Sequence, residues 1–344
     1  CINRCWKVSR QPACAMQMMQ KLSVFDEAWP LERPFAISRG VKTEAHVVVA
    51  EIHTDQAKGR GECVPYARYD ETVHGVIEQI TMQSDLIETG VDNFKLAQQM
   101  PAGAARNALD SALWDLQAKI TGQRVWDLLE IPEPLPCVTA TTIGLASTET
   151  MAARAQELSS APLIKVKLDS EEVVSRMEAI RSGAPTSRLI VDPNEGWSID
   201  ELVSFAPELK HLGVEMIEQP ISAKNDSALS SFESPIPICA DEACHTISDL
   251  GELAGKYQMV NIKLDKTGGL TEALALARTA KNNGLQIMVG CMVATSLAMA
   301  PGTLLGHFSE FLDLDGPLLL AKDRGKGLVF ENGYIHPPSS SLWG

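Results

Sequence analysis

The chain has 344 residues, of which 45% are hydrophobic and 22% charged, and its formal net charge is −14. This length suits two domains, or one large barrel with a smaller partner domain. The negative charge argues against nucleic acid and anionic membrane surfaces as partners. No apolar run reaches the roughly 18 to 20 residues that a membrane helix needs. These observations predict a globular protein that acts on a small molecule.

Eight cysteines are scattered along the chain at Cys1, Cys5, Cys14, Cys63, Cys137, Cys239, Cys244 and Cys291. No two of them have CxxC spacing, and long chains with scattered cysteines usually keep them reduced, so we expect a cytoplasmic location. Residues 1–18 are basic and Cys-rich and lack helical or strand periodicity. We therefore predict that residues 1–18 are a leader or a non-native extension.

Residues 19–134 predict a capping α+β domain of three strands followed by helices. Residues 21–31 and 45–52 read as strands, with a loop at Ser38-Arg39-Gly40 between them. Residues 59–72 read as a loop that contains Gly, Pro and Tyr. Apolar residues in 104–119 recur on one face of a helix. The domain is predicted to end at the turn in residues 131–134.

From residue 135 strands and helices alternate. Eight strands are predicted, in residues 137–143, 163–169, 188–194, 214–220, 236–242, 259–265, 285–291 and 310–315. Near-continuous apolar strands joined by helices indicate a parallel sheet covered on both faces. Seven or eight such units in about 180 residues suit a (β/α)7-8 TIM-like barrel, over residues 135–321. Residues 322–344 contain a β-hairpin pattern that is predicted to return to the first domain.

Five ionisable residues close consecutive barrel strands at intervals of 25, 26, 23 and 22 residues: Lys167, Asp192, Glu218, Asp241 and Lys263. Each interval is about one strand, one helix and two loops, so the five converge at the C-terminal mouth of the barrel. Three carboxylates in one pocket repel unless a cation neutralises them, and all-oxygen ligands favour Mg²⁺ or Mn²⁺ over zinc. The alternative interpretation is that these acids are helix caps or solvated loop charges. This would explain any one of them, but it explains three acids in register less well.

The lysines of the second strand add to this pattern. Period two places Lys165 and Lys167 on one face of the strand and the aliphatic residues on the other. Lys263 repeats the arrangement on strand six, about opposite strand two in a ring of eight. A partly desolvated lysine among other cations has a lowered pKa and can act as a base. The alternative is that these lysines extend their ammonium groups to solvent at the strand ends, and this alternative stays open for Lys165.

Two further features carry weaker signals. Asp313 and Asp315 end strand eight on one face and would suit a bound ammonium, although the sequence Asp-Leu-Asp-Gly is also a good turn. Arg39 could clamp a carboxylate, although most exposed arginines are only solvated. Gly268-Gly269 is better explained by a close approach between helix and strand than by a phosphate site.

With these residues in place, residues 19–335 resemble the enolase superfamily, and within its muconate-lactonizing subgroup the dipeptide epimerases. The resemblance is carried by LIKVKLD, IVDPNEGW, IEQP, PICADE, VNIKLDKTGGLTEAL, GCM and DLDGP. Two departures are Pro193, where a small residue is usual, and the sequence GCMVATS, which lacks the acidic residue that often follows GCM. We assign no side-chain role to GCMVATS.

The resemblance implies Mg²⁺ on Asp192, Glu218 and Asp241, with Mn²⁺ as a substitute, and 1,1-proton transfer on L-Ala-L/D-Glu-type dipeptides of murein. Lys167 and Lys263 would be the acid/base pair, and Lys165 would support Lys167 and the enolate. The resemblance further implies ammonium binding by Asp313 and Asp315, and Arg39 is the best candidate to bind the Glu side chain. Thr142 is a further candidate substrate contact. Lys266 has the opposite strand parity, so Lys263 is preferred.

Three alternatives stay open. Other activities of the subgroup are o-succinylbenzoate synthase, N-succinylamino acid racemase and cycloisomerase, whose substrates lack the free ammonium that would explain Asp313 and Asp315. A Schiff-base lysine aldolase would be trapped by borohydride and indifferent to chelators. A non-catalytic binding barrel would have no use for the metal and lysine set. A homo-oligomer is compatible with a barrel of this kind, and the sequence leaves the assembly open.

Overall fold

The computed structural model describes residues 20–38 and 40–344, so the predicted leader and Arg39 lie outside the described residues. The capping domain begins with an antiparallel sheet in the order β1 (Lys21–Ile37), β2 (Gly40–His53) and β3 (Lys58–Cys63). Strand β1 runs beyond the predicted 21–31 segment, with a shift in register between Pro30 and Phe35. Proline lacks the N–H that a central strand needs, and β1 is an edge strand that tolerates it.

Five helices complete the capping domain: α1 (Val73–Thr81), α2 (Ser84–Glu88), α3 (Asn93–Gln99), α4 (Ala104–Thr121) and α5 (Val125–Leu128). Helix α4 extends the predicted 104–119 segment by two residues and is buried on nearly all sides. A Cβ at Gly59 or Gly61 would overlap the backbone of α4. The two glycines therefore let β3 pack directly against the helix.

The second domain is a parallel eight-stranded sheet that curls into a barrel, as predicted. In spatial and chain order its strands are β5 (Thr141–Ile143), β6 (Leu163–Lys167), β7 (Arg188–Asp192), β8 (Val214–Glu218), β9 (Ile238–Ala240), β10 (Met259–Lys263), β11 (Gln286–Gly290) and β12 (Phe311–Leu312). The two-residue strand β4 (Cys137–Val138) precedes them. The ring closes where the N–H of Ala140 donates to the carbonyl of Leu312 at 2.7 Å.

Helices cover the outside of the barrel or lie in its loops: α6 (Thr148–Glu157), α7 (Val173–Gly183), α8 (Ile199–His211), α9 (Leu250–Leu253), α10 (Leu264–Thr267), α11 (Leu270–Asn282) and α12 (Ser296–Met299). Helix α8 begins at a capping box, where Ser198 accepts from the N–H of Glu201 and the Glu201 carboxylate accepts from the N–H of Ser198. Within the described residues, no helix is both long enough and apolar enough to cross a lipid bilayer.

Strand alternation separates the barrel interior from the helix-covered face. Ile164 and Val166 belong to the outer core, whereas Leu163 joins an inner cluster with one residue from each strand or its approach: Ala140, Leu163, Ile190, Met216, Cys239, Met259, Met288 and Phe311. This apolar cluster forms a floor across the barrel. Lys165 and Lys167 continue the inward-facing row of Leu163, so they lie above that floor.

The C-terminal segment contacts both domains. Its hairpin, β13 (Phe330–Glu331) and β14 (Tyr334–Ile335), pairs with β4 at the start of the barrel and not with the capping sheet. The predicted hairpin is therefore present, but its partner differs, because the short β4 offers an open edge at that end of the barrel. The return to the capping domain comes later, where Trp343 Nε1 donates to the carbonyl of Ser111 in α4 at 2.9 Å.

The two domains meet at an interdomain seam, which we define by five polar residues, the buried Glu62, Arg106, Asp110 and Asp265 and the partly buried Arg324. Asp265 of the barrel accepts from the N–H of Val64 at 3.0 Å and from Asn107 Nδ2 at 2.8 Å. Other contacts of the seam are Thr295 N–H to Glu62 at 2.9 Å, Arg324 Nη2 to Glu62 at 2.6 Å and Thr271 Oγ1 to Asp110 at 2.5 Å. A Cβ at Gly268 would overlap Arg106, so the predicted close approach is real but lies between the domains.

Candidate active site

The five periodic charges all lie at the C-terminal mouth of the barrel. Lys167 and Asp192 are register partners at the ends of β6 and β7, Glu218 ends β8, Asp241 follows β9 and Lys263 ends β10. Asp192 and Glu218 are 0% exposed and Asp241 is 2% exposed. Parallel strands bring their carboxyl ends to one edge, so a spacing along the chain becomes a cluster in space.

The ammonium groups of three lysines lie among these carboxylates and neutralise them. Lys165 Nζ lies 2.6 Å from Glu218 Oε2, 2.7 Å from Asp313 Oδ2 and 3.2 Å from Asp192 Oδ2. Lys167 Nζ contacts Asp192 Oδ2 at 2.5 Å. Lys263 Nζ contacts Asp241 Oδ2 at 2.6 Å and lies 3.7 Å from Glu218 Oε1. Because Lys165 and Lys263 each reach two of the three predicted metal ligands, all three carboxylates lie around one small volume.

The charges control one another's protonation. Burial raises the pKa of Asp192 and Asp241, but the neighbouring lysines outweigh burial and hold both pKa values below their usual range. Burial and then Asp192 raise the pKa of Glu218. Burial lowers the pKa of Lys165 and Lys263, but the surrounding carboxylates outweigh it and raise both. The lowered lysine pKa predicted from sequence is therefore wrong for these two residues, because carboxylates outweigh cations around each ammonium group.

The donor set fits a hard divalent cation in its chemistry. Asp192, Glu218 and Asp241 supply only carboxylate oxygens, the ligands that Mg²⁺ and Mn²⁺ prefer. In the described part of the chain, no three His, Cys, Asp or Glu side chains are already drawn together as a metal cage. The reason lies in the ion pairs, since the ammonium groups of Lys165 and Lys263 stand between the carboxylates. A cation at these three acids would take over their neutralisation.

The predicted ammonium-binding pair divides into two different environments. Asp313 Oδ2 is paired with Lys165, whereas its buried Oδ1 has no hydrogen-bond partner among residues 20–38 and 40–344. Asp315 Oδ2 accepts from the main-chain N–H of Thr142 at 2.7 Å. Burial and then the charge of Asp313 raise the pKa of Asp315 to about 7. Asp313 and Asp315 are both buried beside the lysine cluster, and the backbone of Thr142 contacts Asp315.

The capping domain reaches the mouth through loops. Arg39 lies outside the described residues, but its neighbour Ser38 donates to the carbonyl of Asn194 at 3.4 Å. Arg68 makes a bidentate ion pair with Glu195, at 2.9 and 3.0 Å. The ring of Tyr69 packs edge-on against His245, with 4.5 Å between centroids. These contacts place the capping loops over the barrel mouth.

Three polar residues that hold the predicted metal ligands were not identified from sequence as part of the site. Asn261 Nδ2 donates to Glu218 Oε1 at 2.6 Å, Gln219 Oε1 accepts from the N–H of Asp241 at 2.9 Å, and Lys266 Nζ reaches the carboxylate of Asp241. Strand parity could have revealed Asn261, since it is two residues before Lys263. Gln219 carries no such signal. Lys266 was set aside on parity, which fails because the strand ends at Lys263 and a helix begins.

Comparison with known families identifies both domains. Residues 19–130 match the mandelate racemase/muconate lactonizing enzyme N-terminal domain, and residues 149–341 match the enolase C-terminal domain-like family. The chain is 48% identical to the L-Ala-D/L-Glu epimerase of Escherichia coli (strain K12), over 92% of this chain and all of that protein. It is 45% identical to the N-acetyl-D-glutamate racemase of a Pseudoalteromonas species, over 87% of this chain and 95% of that one.

Solved structures of similar proteins superpose on nearly the whole described fold and point to the same family. An enolase family member from Agrobacterium tumefaciens, with homology to dipeptide epimerases and with bound sodium and L-Ala-L-Glu, superposes with a TM-score of 0.92 at 45% identity. That match covers 94% of this chain and 100% of the other. A dipeptide epimerase from Methylococcus capsulatus, complexed with Mg and L-Arg-D-Lys, has a TM-score of 0.86 at 29% identity, over 93% and 97% of the two chains.

Proposed function

The chain belongs to the mandelate racemase/muconate lactonizing enzyme family of the enolase superfamily, and we propose that it is a magnesium-dependent dipeptide epimerase. The observation that carries this proposal is the placement of Lys167 and Lys263 on β6 and β10, which are four strands apart in the eight-stranded order. Strands four apart face each other across a ring of eight. The two lysines therefore approach the centre of the mouth from opposite sides, as a reaction that inverts a carbon centre requires.

Inversion at the α-carbon of the C-terminal residue needs one proton removed and another supplied to the opposite face. In our proposal one of the two lysines starts as the neutral amine and accepts the α-proton, while the other starts as the ammonium and donates. The roles reverse for the other epimer, so proton and charge balance in both directions. Each lysine lies against a predicted metal ligand, Asp192 or Asp241, which fixes the position of its Nζ.

The metal would be held by Asp192, Glu218 and Asp241. When bound, Mg²⁺ supplies positive charge beside the substrate carboxylate, where negative charge develops as the α-proton leaves. Carboxylates that bind a cation raise the pKa of a neighbouring lysine less than the same carboxylates would without the cation. The bound cation would therefore favour the neutral amine form in which Lys263 can act as a base. Lys165, which touches Asp192, Glu218 and Asp313, stabilises the same negative charge from the side of β6.

Asp313 and Asp315 are the proposed site for the free α-ammonium of the dipeptide. The buried Oδ1 of Asp313 has no hydrogen-bond partner within the described ranges, and an ammonium group would satisfy it. Thr142 holds Asp315 through its main-chain N–H, so we propose that Thr142 orients the pair. Arg39, whose own placement lies outside the described residues, remains our candidate for binding an acidic side chain of the C-terminal residue.

The substrate that we propose is L-Ala-L-Glu and its epimer L-Ala-D-Glu, which would place the enzyme in murein peptide recycling. The similarity to the Escherichia coli epimerase supports this choice. A cytoplasmic location is part of the proposal, because the five cysteines in the described ranges are all free thiols. The net charge of −14 supports a small-molecule substrate over nucleic acid.

Racemisation of N-acetylglutamate is a second candidate, because a relative with that activity is 45% identical. An N-acylated substrate has no ammonium group for Asp313 and Asp315 to bind. The two functions therefore differ in what they ask of this acidic pair, and a direct comparison of the two substrates separates them.

The test is α-proton exchange in D₂O, followed by NMR, with Mg²⁺ and a panel of L,L-dipeptides beside N-acetylglutamate. We expect fastest exchange and epimerisation with L-Ala-L-Glu, loss of activity with EDTA, and recovery with Mg²⁺ or Mn²⁺. Faster turnover of N-acetylglutamate would favour the second candidate, and no exchange with any dipeptide would refute an epimerase. Inactivation by borohydride with substrate present would indicate a Schiff-base lysine instead.

A further inference from the structure

Lys266 is a buried lysine that the proton-transfer scheme does not use. Its side chain is 0% exposed. Its ammonium group donates to the carbonyl of Asp241 at 2.5 Å, to Asp241 Oδ1 at 2.7 Å and to the carbonyl of Asn261 at 2.9 Å. An ammonium group has three N–H donors, so each of them has an acceptor. Lys266 is therefore fully satisfied by two residues of the mouth.

These contacts fix Asp241 on one side only. Lys266 takes Oδ1 and the main-chain carbonyl, and Gln219 Oε1 takes the N–H of the same residue. Oδ2 faces the other way, toward Lys263 at 2.6 Å. The carboxylate plane of Asp241 is thus set by Lys266, and one oxygen is presented to the centre of the mouth.

The backbone that carries Lys266 is itself held. Helix α10 follows directly on β10 and contains Lys266. The residue before Lys266 is Asp265, which accepts hydrogen bonds from Val64 and Asn107 of the capping domain. On the other side, Arg106 Nη2 donates to the carbonyl of Thr267 at 2.5 Å. Because both flanks of Lys266 are anchored, its ammonium group is positioned before any ligand binds.

We propose that Lys266 is a positioning residue that orients Asp241 for the divalent cation. This inference rests on the proposed function, because it assumes that Asp241 is a metal ligand. Outer partners of metal ligands set ligand orientation, and their loss typically weakens metal affinity about 10- to 100-fold. Without Lys266, Asp241 could rotate and would lose one of its two neutralising lysines.

The experiment is an Mn²⁺ titration of the substrate-free protein, in which free Mn²⁺ is measured by electron paramagnetic resonance. We expect Lys266→Met to raise the Kd for Mn²⁺ at least about tenfold. The matched control is Lys119→Met, which removes the 2.7 Å ion pair with the fully buried Asp115 in α4, away from the mouth. The control should bind Mn²⁺ with the wild-type Kd.

Folding is checked by circular dichroism. If Lys266→Met does not fold, Lys266→Gln replaces it in the same titration, since the amide keeps two N–H donors but cannot satisfy all three acceptors. A Kd within twofold of wild type for the folded Lys266 variant would overturn the positioning role. A wild-type protein that binds no Mn²⁺ would instead refute the metal-dependent function itself, so the two failures are distinguishable.

Discussion

The barrel mouth and Asp265 of the interdomain seam both bury charge, but they neutralise it in different ways. At the mouth, carboxylates face lysines on long side chains, as in the pairs Lys167–Asp192 and Lys263–Asp241. At the seam, Asp265 faces a main-chain N–H and an amide. Lysine contacts can be exchanged for contacts with a cation or substrate, whereas backbone hydrogen bonds between two domains cannot move without separating them. The difference indicates that the mouth serves chemistry and the seam serves stability.

The largest expected effect comes from removing either proposed base at the mouth. Lys167→Ala and Lys263→Ala should each abolish epimerisation of L-Ala-L-Glu, because acid/base groups contribute about 10²- to 10⁴-fold each and inversion needs both. The measurement is the appearance of the second epimer by NMR. Both variants should unfold cooperatively near the wild-type temperature, since Lys165 still faces Asp192 and Lys266 still faces Asp241.

Exchange without inversion gives a sharper version of this test. A variant with one remaining lysine should exchange the α-proton of only one epimer for deuterium, and Lys167→Ala and Lys263→Ala should select opposite epimers. Residual exchange of both epimers by one variant would show that the two lysines do not work on opposite faces. Epimerisation at the wild-type rate by either variant would show that the substituted lysine takes no part in the proton transfer.

The next largest effect should appear at the seam, in stability and not in rate. Arg106 donates to the carbonyls of Gly268, Ala97 and Met100 at 3.0 to 3.1 Å as well as to Thr267. Arg106→Met would leave these carbonyls without a donor, at a cost of about 3 kcal/mol of unfolding free energy. Urea unfolding at constant pH measures it.

A matched control is Arg154→Met, which removes an exposed ion pair with Glu157 on α6. We expect it to change the free energy of unfolding by less than about 1 kcal/mol. If Arg106→Met were as stable as this control but inactive, the seam would be part of the catalytic machinery and the contrast with the mouth would fail.

The mouth could be predicted from sequence and the seam could not, for a physical reason. Each of the five charges ends a strand or directly follows one, and parallel strands convert regular spacing along the chain into proximity: Lys167, Asp192, Glu218, Asp241 and Lys263. The residues of the seam have no regular spacing along the chain. Glu62 and Thr295 meet across 233 positions because two separate domains dock there. Thr295 belongs to GCMVATS, the segment to which sequence assigned no side-chain role, and its partner lies in a strand of the other domain.

The smallest expected effect concerns Asp265, a buried acid of the seam. Burial raises its pKa to about 7, although the N–H of Val64 and the amide of Asn107 act in the opposite direction. Because the folded pKa lies above the unfolded value, the folded protein binds the extra proton between about pH 4 and pH 7. The stability from Asp265 is therefore fully present below about pH 4 and is lost as the pH rises through about 7.

Asp265→Asn tests this assignment, because asparagine keeps the accepting Oδ1 and resembles the protonated acid. Wild-type stability should fall from pH 5.5 to pH 8 by more than that of the variant, with a difference in slope on the order of 1 kcal/mol per pH unit. Urea midpoints at both pH values measure the difference, and the titrations of all other groups cancel between the two proteins. Parallel pH profiles would mean that the seam carboxylate is ionised when buried. Its hydrogen bonds would then be strong enough to hold a full charge without a lysine, and the seam would neutralise charge as completely as the mouth.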